Sequence, residues 1–470
     1  MVPHPRSGVP PRPPQDGRLR PDPALRRAPK VLGPSVRPQG PQQARPPQPL
    51  LKDPYRLALM MFLVQTVSRV ASSLGPIGEM RPALLLFVFC VLFALMNPAK
   101  AFDRDLFRRL IPQLTLGQAF IACCSAVFGI SLGHAANFIL NEYWKTLAYC
   151  WLLMSSMRDT IHVRWTVWAV TFAGFVLAFL SLYVVGISKT QGTGSYDAND
   201  IGLIMVTTIP LAILCLQTSG RWGKIVAVIG LALTVMTVVK SASRGAFLGA
   251  AAVGLVMLVF LPGISVFKRI AIVVAMVATM TMVAPVGYWD TMKATVTNPQ
   301  SDYNWDAYTG RRNIAKRGIG YMMQYPVFGV GIGNFGFAEG QLSARAKAGE
   351  TIIRWAAPHN SLVQAGAETG MTGLGVWMFL LLVSAGGVWR LRRRMPSWGV
   401  GAPDQRFLFL ATLYVPIAFV GFAITATFVS FAWSDQYYIL PAIVVGVYKA
   451  FEGISASRSG GAPVVPRGRA

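Results

Sequence analysis

The run APHNSLVQAGAETGMTG, residues 357–373, closes the longest polar interruption in a chain that is otherwise rich in apolar residues. The interruption covers residues 288–358, contains several arginines and leads directly to His359 at the start of the next apolar segment. A long polar stretch between apolar segments is typical of a large loop in a membrane protein. We therefore predict that the surrounding segments form a scaffold that positions this loop.

The composition indicates a membrane protein. Hydrophobic residues make up 53% of the chain and charged residues 13%, whereas soluble proteins carry about 25% charged residues. Apolar runs long enough to cross a bilayer recur between residues 55 and 452. The sequence predicts an all-α, polytopic membrane protein with about twelve transmembrane helices and one large periplasmic loop, residues 288–358. The predicted spans are 55–74, 82–97, 113–131, 138–156, 165–187, 199–217, 223–239, 245–262, 267–287, 359–389, 407–430 and 436–452.

The distribution of basic residues predicts the orientation. With the N-terminus in the cytoplasm, every loop assigned to the cytoplasm is basic, as the positive-inside rule requires. These loops are 98–112, 157–164, 218–224, 263–269 and 390–406. Basic residues on the outer side oppose this rule and need another explanation. They are Lys189, Lys240, Arg244, Arg311, Arg312, Lys316, Arg317 and Arg354.

The two ends of the chain differ from the predicted transmembrane domain, residues 55–452. Residues 1–54 are rich in Pro and Arg and are expected to form a disordered cytoplasmic leader, and residues 453–470 a disordered cytoplasmic tail. Much of the net charge of +25 lies in the leader and the short loops, which argues against nucleic-acid binding. The five cysteines lie in apolar runs without metal-ligand spacing, so neither a metal site nor a cofactor is predicted.

Two outer motifs precede predicted helices. In SYDANDIG, residues 195–202, Asp197 or Asn199 is expected to cap the sixth span, and a loop that contacts sugar hydroxyls is the functional alternative. In KSASRGAFLG, residues 240–249, Ser243 is expected to be the cap and Arg244 lies in the first helical turn. A cation there opposes the helix dipole. Either Arg244 extends to the membrane interface, or it and the free amides of the helix end bind one anion.

A third outer motif is TGRRNIAKRGIGYMMQYPVFGVGIGNFG, residues 309–336. Thr309 is expected to cap a helix that ends before Pro326, with Arg311 in its first turn. An apolar stripe is predicted to lie on the bilayer surface, with Lys316 and Arg317 in solvent. The stripe consists of Ile314, Gly318, Ile319 and Met322. GIGNFG, residues 331–336, matches a dinucleotide-binding pattern, but no strand precedes it, so we interpret it as a glycine-rich turn.

The fourth motif is the run that begins with Ala357. His359 opens the tenth predicted span, with Asn360 or Ser361 near its cap. A neutral imidazole there can act as a general base; the alternative is an ordinary polar residue at a helix end. Glu368 lies about 13 Å further down the helix, where a carboxylate is costly unless paired. We expect it to pair with a buried arginine or to orient polar groups.

Three outer helix starts therefore carry Arg244, Arg311 and His359. Each supplies unsatisfied backbone amides in addition to its side chain. If the three starts converge, they form an anion site at the membrane surface. A lipid diphosphate fits such a site, because its tail stays in the bilayer while its headgroup carries the charge.

These motifs resemble the O-antigen ligase and polymerase superfamily of bacterial envelope biogenesis. The resemblance rests on SRGAFLG, on TGRR followed by YPVFGVGIGNF, and on His359 and Asn360 followed by GMTG, residues 370–373. SYDAND is similar to the loop before the family's sixth helix. The similar region covers about residues 190–390, and the leader is not part of the family pattern.

The resemblance implies a metal-independent, inverting glycosyltransferase of the bacterial inner membrane, with its active site facing the periplasm. The donor would be a glycan on undecaprenyl diphosphate. The acceptor would be lipid A-core in a ligase or another lipid-linked glycan in an O-antigen or exopolysaccharide polymerase. Arg244 and Arg311 match the diphosphate-binding arginines, Arg312 is an alternative to Arg311, and His359 matches the essential histidine. Asn199, Lys240, Asn360 and Glu368 are candidate supporting residues.

Two other classes of function were compared with the enzyme. A transporter of lipid-linked glycans should contain charged or broken helices near the membrane midplane and matched halves, and the sequence shows few such charges and no internal repeat. A structural membrane protein would leave the outer cations unexplained. The sequence therefore favours the enzyme.

Overall fold

The computed structural model describes residues 49–73, 80–187, 196–260, 265–297, 310–343 and 356–458. The predicted leader up to residue 48, residues 459–470, and also Lys189, Thr309 and Arg354, lie outside the described residues. Within these ranges most residues are helical and no β-strand forms. This confirms the all-α class that the apolar runs predict.

The longer helices follow the predicted apolar segments and the outer loop. They are α1 (Pro54–Ser68), α2 (Pro82–Met96), α3 (Leu110–Phe128), α4 (Leu132–Phe138), α5 (Trp144–Ser156), α6 (Thr160–Phe179), α7 (Ala198–Thr218), α8 (Arg221–Lys240), α9 (Arg244–Phe260), α10 (Val266–Val283), α11 (Tyr288–Thr297), α12 (Arg311–Gln324), α13 (Phe335–Leu342), α14 (Ser361–Leu391), α15 (Pro403–Thr425) and α16 (Asp435–Arg458). A π-helical turn, Ile139–Tyr143, joins α4 to α5, and a second, Leu180–Val185, extends α6.

Among the described residues, 7 helices are long and apolar enough to cross a membrane. The count rises to 8 if α2 and the segment Pro98–Arg108, which meet at an angle of 110°, form one broken span. These helices confirm a polytopic membrane protein. The remaining predicted spans also coincide with helices, but these are shorter or less apolar, so the structure does not establish the predicted number of twelve.

The helix α15 forms the centre of the bundle, and small residues let its neighbours approach closely. A Cβ atom on Gly249 of α9 would lie 2.4 Å from the Thr425 side chain. A Cβ atom on Gly421 would lie 2.9 Å from Val253 and 3.0 Å from Val206 of α7. Close backbone contact of this kind is how helices associate inside membranes, where burial of apolar surface adds little.

The helix α14 is broken at Gly370, which has φ of 71° and ψ of −173°. The segment 326–333, which follows α12, lies against this break. The backbone of this segment forms hydrogen bonds with the groups of α14 that have no helical partner at the break. The Val330 amide donates to the Ala367 carbonyl at 2.9 Å, and the Met371 amide donates to the Pro326 carbonyl at 2.7 Å. Irregular backbone inside a membrane persists only where such groups are satisfied.

The backbone carbonyl and the side chain of Glu368 form further hydrogen bonds between α14 and the segment 326–333. The carbonyl accepts hydrogen bonds from the Gly331 amide at 3.1 Å and from the Ser125 hydroxyl of α3 at 2.6 Å. The buried carboxylate accepts from the Gly333 amide at 3.0 Å and the Trp433 indole at 2.5 Å. Its partners are therefore N–H groups of the backbone, of Trp433 and of the Gln364 side chain. Of the two expectations, the carboxylate orients polar groups and does not pair with an arginine among the described residues. The GIGNFG run is the glycine-rich turn that docks here.

We predict that Gly370→Ala destabilises the protein. A side chain at this position takes a left-handed conformation, which costs on the order of 1–3 kcal/mol, and its Cβ would lie 2.5 Å from the Val327 carbonyl oxygen. Thermal unfolding in detergent should show a lowered midpoint. Gly375→Ala is the matched control, because this glycine lies in the same helix and has no atom within 4 Å of the added Cβ. Equal midpoints for the two variants would contradict the role of the break.

Candidate functional site

The connecting segment 426–434, between α15 and α16, binds the start of α14. The Ser361 hydroxyl donates to the Val429 carbonyl at 2.8 Å and accepts from the Phe431 amide at 2.9 Å. The His359 amide donates to the Ser430 hydroxyl at 2.9 Å. The predicted span 407–430 therefore ends earlier, since helical structure stops at Phe428 and Ser430 belongs to the loop that holds His359.

His359 lies just outside α14 in a strained backbone conformation. Its φ is 45°, a left-handed value that is uncommon for a residue other than glycine. Asn360 caps the helix, and its side chain accepts hydrogen bonds from the amides of Leu362 at 2.9 Å and Val363 at 3.1 Å. Of the two expected caps, Asn360 performs this role, while Ser361 binds the connecting segment. Strain of this kind is commonly found at functional sites.

Burial is the main cause that lowers the pKa of His359, and the positive charge of Arg311 lowers it further. Asp197 acts in the opposite direction and raises this pKa. The net shift is below the ordinary value of 6.5, so the imidazole is neutral near pH 7 and can accept a proton. The shift also shows that the charges of Arg311 and Asp197 both act on His359, although these residues are distant in sequence.

The start of α9 is joined to the start of α7. Ser243 caps α9, as predicted, by accepting from the Ala246 amide at 3.3 Å. Its hydroxyl donates to the Asn199 side-chain oxygen at 2.7 Å. Asp197 caps α7 by accepting from the amides of Asn199 and Asp200 at 2.7 and 2.8 Å. Asn199 is therefore not the cap, and instead connects the two helix starts.

Arg244, the first residue of α9, is half-buried beside this junction. The next residue, Gly245, packs against Phe428 of the connecting segment, where an added Cβ would lie 2.6 Å from the Phe428 side chain. The structure thus brings the start of α9 to the same segment that holds His359. Lys240 is different, because it is exposed at the C-terminal end of α8, where the helix dipole favours a cation.

Arg311 and Arg312 are both exposed in the first turn of α12. This helix packs on α13 and α14, and part of the stripe that the sequence assigned to the bilayer surface makes this contact. Gly318 faces α14 so closely that an added Cβ would lie 2.4 Å from Val363. Ile314 is buried, whereas Ile319 is 48% exposed. The apolar stripe is therefore largely an internal contact that holds Arg311 above the start of α14.

An ion pair that the sequence did not predict fixes α12 to α13. Arg317 binds the carboxylate of Glu339 through two nitrogens, with its Nε atom 2.8 Å from Oε1 and its Nη2 atom 2.5 Å from Oε2. The Tyr321 hydroxyl donates to the same carboxylate at 2.8 Å. The prediction that Arg317 is solvated is wrong, while Lys316 is exposed as expected. Such a bidentate pair adds geometric specificity.

The chain was compared with known protein families and with curated proteins. A family model described as O-antigen ligase matches residues 229–378. The match includes Lys240, Arg244, Arg311, Arg312, His359, Asn360 and Glu368, whereas Asn199 lies before it. No curated protein matches the chain significantly.

We predict that the pKa of His359 depends on its two charged neighbours with opposite signs. Arg311→Ala removes a positive charge and should raise this pKa toward its ordinary value. Asp197→Asn keeps a good helix cap but removes a negative charge, and should lower the pKa further. The measurement is a histidine NMR titration in micelles, with the His359 signal assigned by its loss in His359→Gln. Lys316→Ala, on the same helix as Arg311, should leave the pKa unchanged; a shift as large as that of Arg311→Ala would contradict the assignment.

Proposed function

We propose that this protein transfers a glycan from a lipid-linked diphosphate to an acceptor hydroxyl, because a family model described as O-antigen ligase matches residues 229–378. The supporting observation is the position of His359. Its imidazole is held neutral by burial and by the charge of Arg311, and its backbone is bound to the segment against which the start of α9, with Arg244, also packs.

The proposed reaction is a single displacement. The acceptor hydroxyl loses its proton to the neutral His359 imidazole, and its oxygen attacks the anomeric carbon of the donor sugar. The bond from that carbon to the diphosphate oxygen breaks, and the diphosphate leaves with the bonding electrons. Attack opposite to the leaving group inverts the anomeric configuration. Arg244, Arg311 and the amides of their helix ends stabilise the charge that develops on the leaving group, and no step requires a metal ion or cofactor.

The donor proposed is a glycan on undecaprenyl diphosphate, whose tail would remain in the bilayer while the diphosphate meets the arginines. Arg312 is a second candidate contact for the diphosphate, since it lies beside Arg311 and is equally exposed. Asn199 positions Ser243 at the start of α9, and Asn360 fixes the start of α14 beside His359. Glu368 supports the site indirectly by holding the segment that follows α12.

The acceptor proposed is lipid A-core, as in an O-antigen ligase, because the matching family carries this description. The alternative is an O-antigen or exopolysaccharide polymerase that joins lipid-linked repeat units. In either case we place the protein in the bacterial inner membrane with twelve spans, with the loop 288–358 and the active site in the periplasm. This orientation keeps the basic loops on the cytoplasmic side.

We predict that Arg244→Ala, Arg311→Ala and His359→Ala each abolish or strongly reduce transfer. Loss of a general base costs about 10²–10⁴ in rate, and loss of one group that stabilises developing charge costs about 10²–10³. The assay uses proteoliposomes with a defined undecaprenyl-diphosphate glycan and each of the two acceptors, in the presence of EDTA. The acceptor that reacts distinguishes a ligase from a polymerase.

Lys316→Ala is the matched control for Arg311→Ala, because both residues are exposed on α12 and only Arg311 acts on His359. The control should retain wild-type activity. Wild-type activity in the three site variants would refute the site. Loss of wild-type transfer in EDTA, with recovery on addition of Mg²⁺, would refute the metal-free mechanism.

We predict that a membrane-impermeant thiol reagent added to intact cells whose outer membrane has been made permeable labels Lys316→Cys and not Arg393→Cys. Both positions are exposed in the structure, and the proposed topology places them on opposite sides of the inner membrane. After the inner membrane is also made permeable, both should react, which shows that each cysteine is accessible. The reverse pattern in intact cells would overturn the topology.

A further inference from the structure

A cavity of about 770 Å³ lies beside the proposed catalytic site. Its walls come from α1, α2, α5, the turn between α4 and α5, and the connecting segment. It shares Ser430 with the site, since this residue lines the cavity and also accepts a hydrogen bond from the His359 amide. Gln364, in the first turns of α14, lines it as well. Arg244 and Arg311 do not line the cavity, so it is distinct from the proposed diphosphate site.

Three cations line this cavity: Arg69, Arg81 and Lys145. None of them forms an ion pair with a residue that the structure describes. Arg69 is held in place, because its guanidinium carbon lies 3.9 Å from the centroid of the Tyr196 ring. The Tyr196 ring in turn packs against Phe431, with centroids 6.0 Å apart. Tyr196 immediately precedes Asp197, whose negative charge acts on His359. Arg69 therefore stacks on the residue next to Asp197 in the chain.

The rest of the cavity lining combines carboxylates, amides, hydroxyls and aromatic rings. Two carboxylates face the same space, Glu142 and Asp435, and Asp435 accepts a hydrogen bond from Thr146 at 2.7 Å. Amides and hydroxyls supply further donors and acceptors, and aromatic rings supply flat apolar faces. These lining residues are Gln65, Gln364, Gln436, Ser72, Ser434, Phe138, Tyr143, Trp433. A few convergent polar groups on an aromatic wall are typical of a small-ligand site.

The backbone gives a second reason to assign a function to this cavity. Among the described residues, the positions other than glycine with positive φ are Arg69, Arg81, Ala242 and His359. Two of them are the cavity arginines, each with φ of 49°. The other two are His359 itself and Ala242, which lies two residues before Arg244. Backbone strain of this kind concentrates at ligand and active sites. The cavity therefore shares this property with the proposed catalytic site.

The cavity borders an exposed apolar surface on α2. Leu84 of α2 lines it and is 42% exposed. The same helix exposes Leu85, Val88 and Phe89, which are 48%, 45% and 51% exposed. A helix in a bilayer presents such residues to lipid. A ligand whose headgroup occupies the cavity can therefore keep its tail along α2 in the membrane.

We propose that this cavity is the acceptor site and that it binds the anionic saccharide headgroup of a lipid-anchored acceptor. Arg69 and Arg81 bind a phosphate or carboxylate group of the acceptor, while Glu142 and Asp435 accept hydrogen bonds from its sugar hydroxyls. The reacting hydroxyl reaches His359 past Ser430. This proposal rests on the proposed function, and it adds that donor and acceptor are held by separate sets of cations.

The test is a binding measurement that does not depend on turnover. The His359→Ala variant in nanodiscs is titrated with deacylated, phosphorylated core oligosaccharide, with the same oligosaccharide after phosphatase treatment, and with inorganic phosphate. The phosphorylated oligosaccharide should bind at least tenfold more tightly than the other two. Arg69→Gln or Arg81→Gln, added to this variant, should remove that preference. Arg81→Lys, which keeps the charge, should retain most of it.

Lys316→Gln is the matched control, since it removes an exposed outer cation that does not line the cavity, and it should not change binding. Retained binding of undecaprenyl diphosphate by Arg69→Gln and Arg81→Gln shows that these variants are folded. Equal binding of the phosphorylated and dephosphorylated probes, binding of neither, or an unchanged preference in both arginine variants would overturn the acceptor site. Absence of transfer by the wild-type protein together with the expected binding pattern would instead refute the proposed function alone.

Discussion

The requirement that backbone groups within a membrane find hydrogen-bond partners governs the arrangement of the site. The break at Gly370 leaves carbonyl and amide groups of α14 without helical partners, and the segment 326–333 supplies them. Because this segment follows α12 directly, docking it against the break also fixes α12 on α14. Arg311, at the far end of α12, is thereby held where its charge acts on His359. The need to satisfy hydrogen-bonding groups at the break in α14 therefore positions the positive charge of Arg311 near His359, at the start of the same helix.

Features that depend on local residue patterns could be predicted from the sequence, whereas contacts between distant elements could not. The apolar runs predict the helices, because lipid requires them, and seven of the described helices are long and apolar enough to cross a membrane. Arg244 and Arg311 became candidates because basic residues on the predicted outer side oppose the positive-inside rule. His359 became one because it opens an apolar segment on the same predicted side. The ion pair of Arg317 with Glu339 had no such signal, because it exists only when α12 packs on α13. The partners of Glu368 were equally hidden, since they are backbone amides of a distant glycine-rich turn.

The sequence also predicted the capping residues of some helices, but it did not predict the hydrogen bonds between different helix starts. Ser243 and Asn360 cap their helices as their residue types suggest. No residue pattern indicated that Asn199 would accept a hydrogen bond from Ser243, or that the Ser430 hydroxyl would accept one from the His359 amide. Both contacts cross between segments that are far apart in the chain. They depend on how α7, α9, α14 and the connecting segment meet.

The cations proposed to bind the donor and the acceptor form two groups, which belong to different elements. Arg244 and Arg311 belong to α9 and α12, whereas Arg69 and Arg81 flank α1 and α2. On the proposed periplasmic side of the membrane, positive charge is unfavourable for insertion, and the positive charge of Arg311 makes the protonation of His359 harder. Both effects are offset when anions bind. If the donor diphosphate neutralises Arg311, the pKa of His359 rises and the imidazole becomes a stronger base, which ties proton removal to the presence of the bound donor.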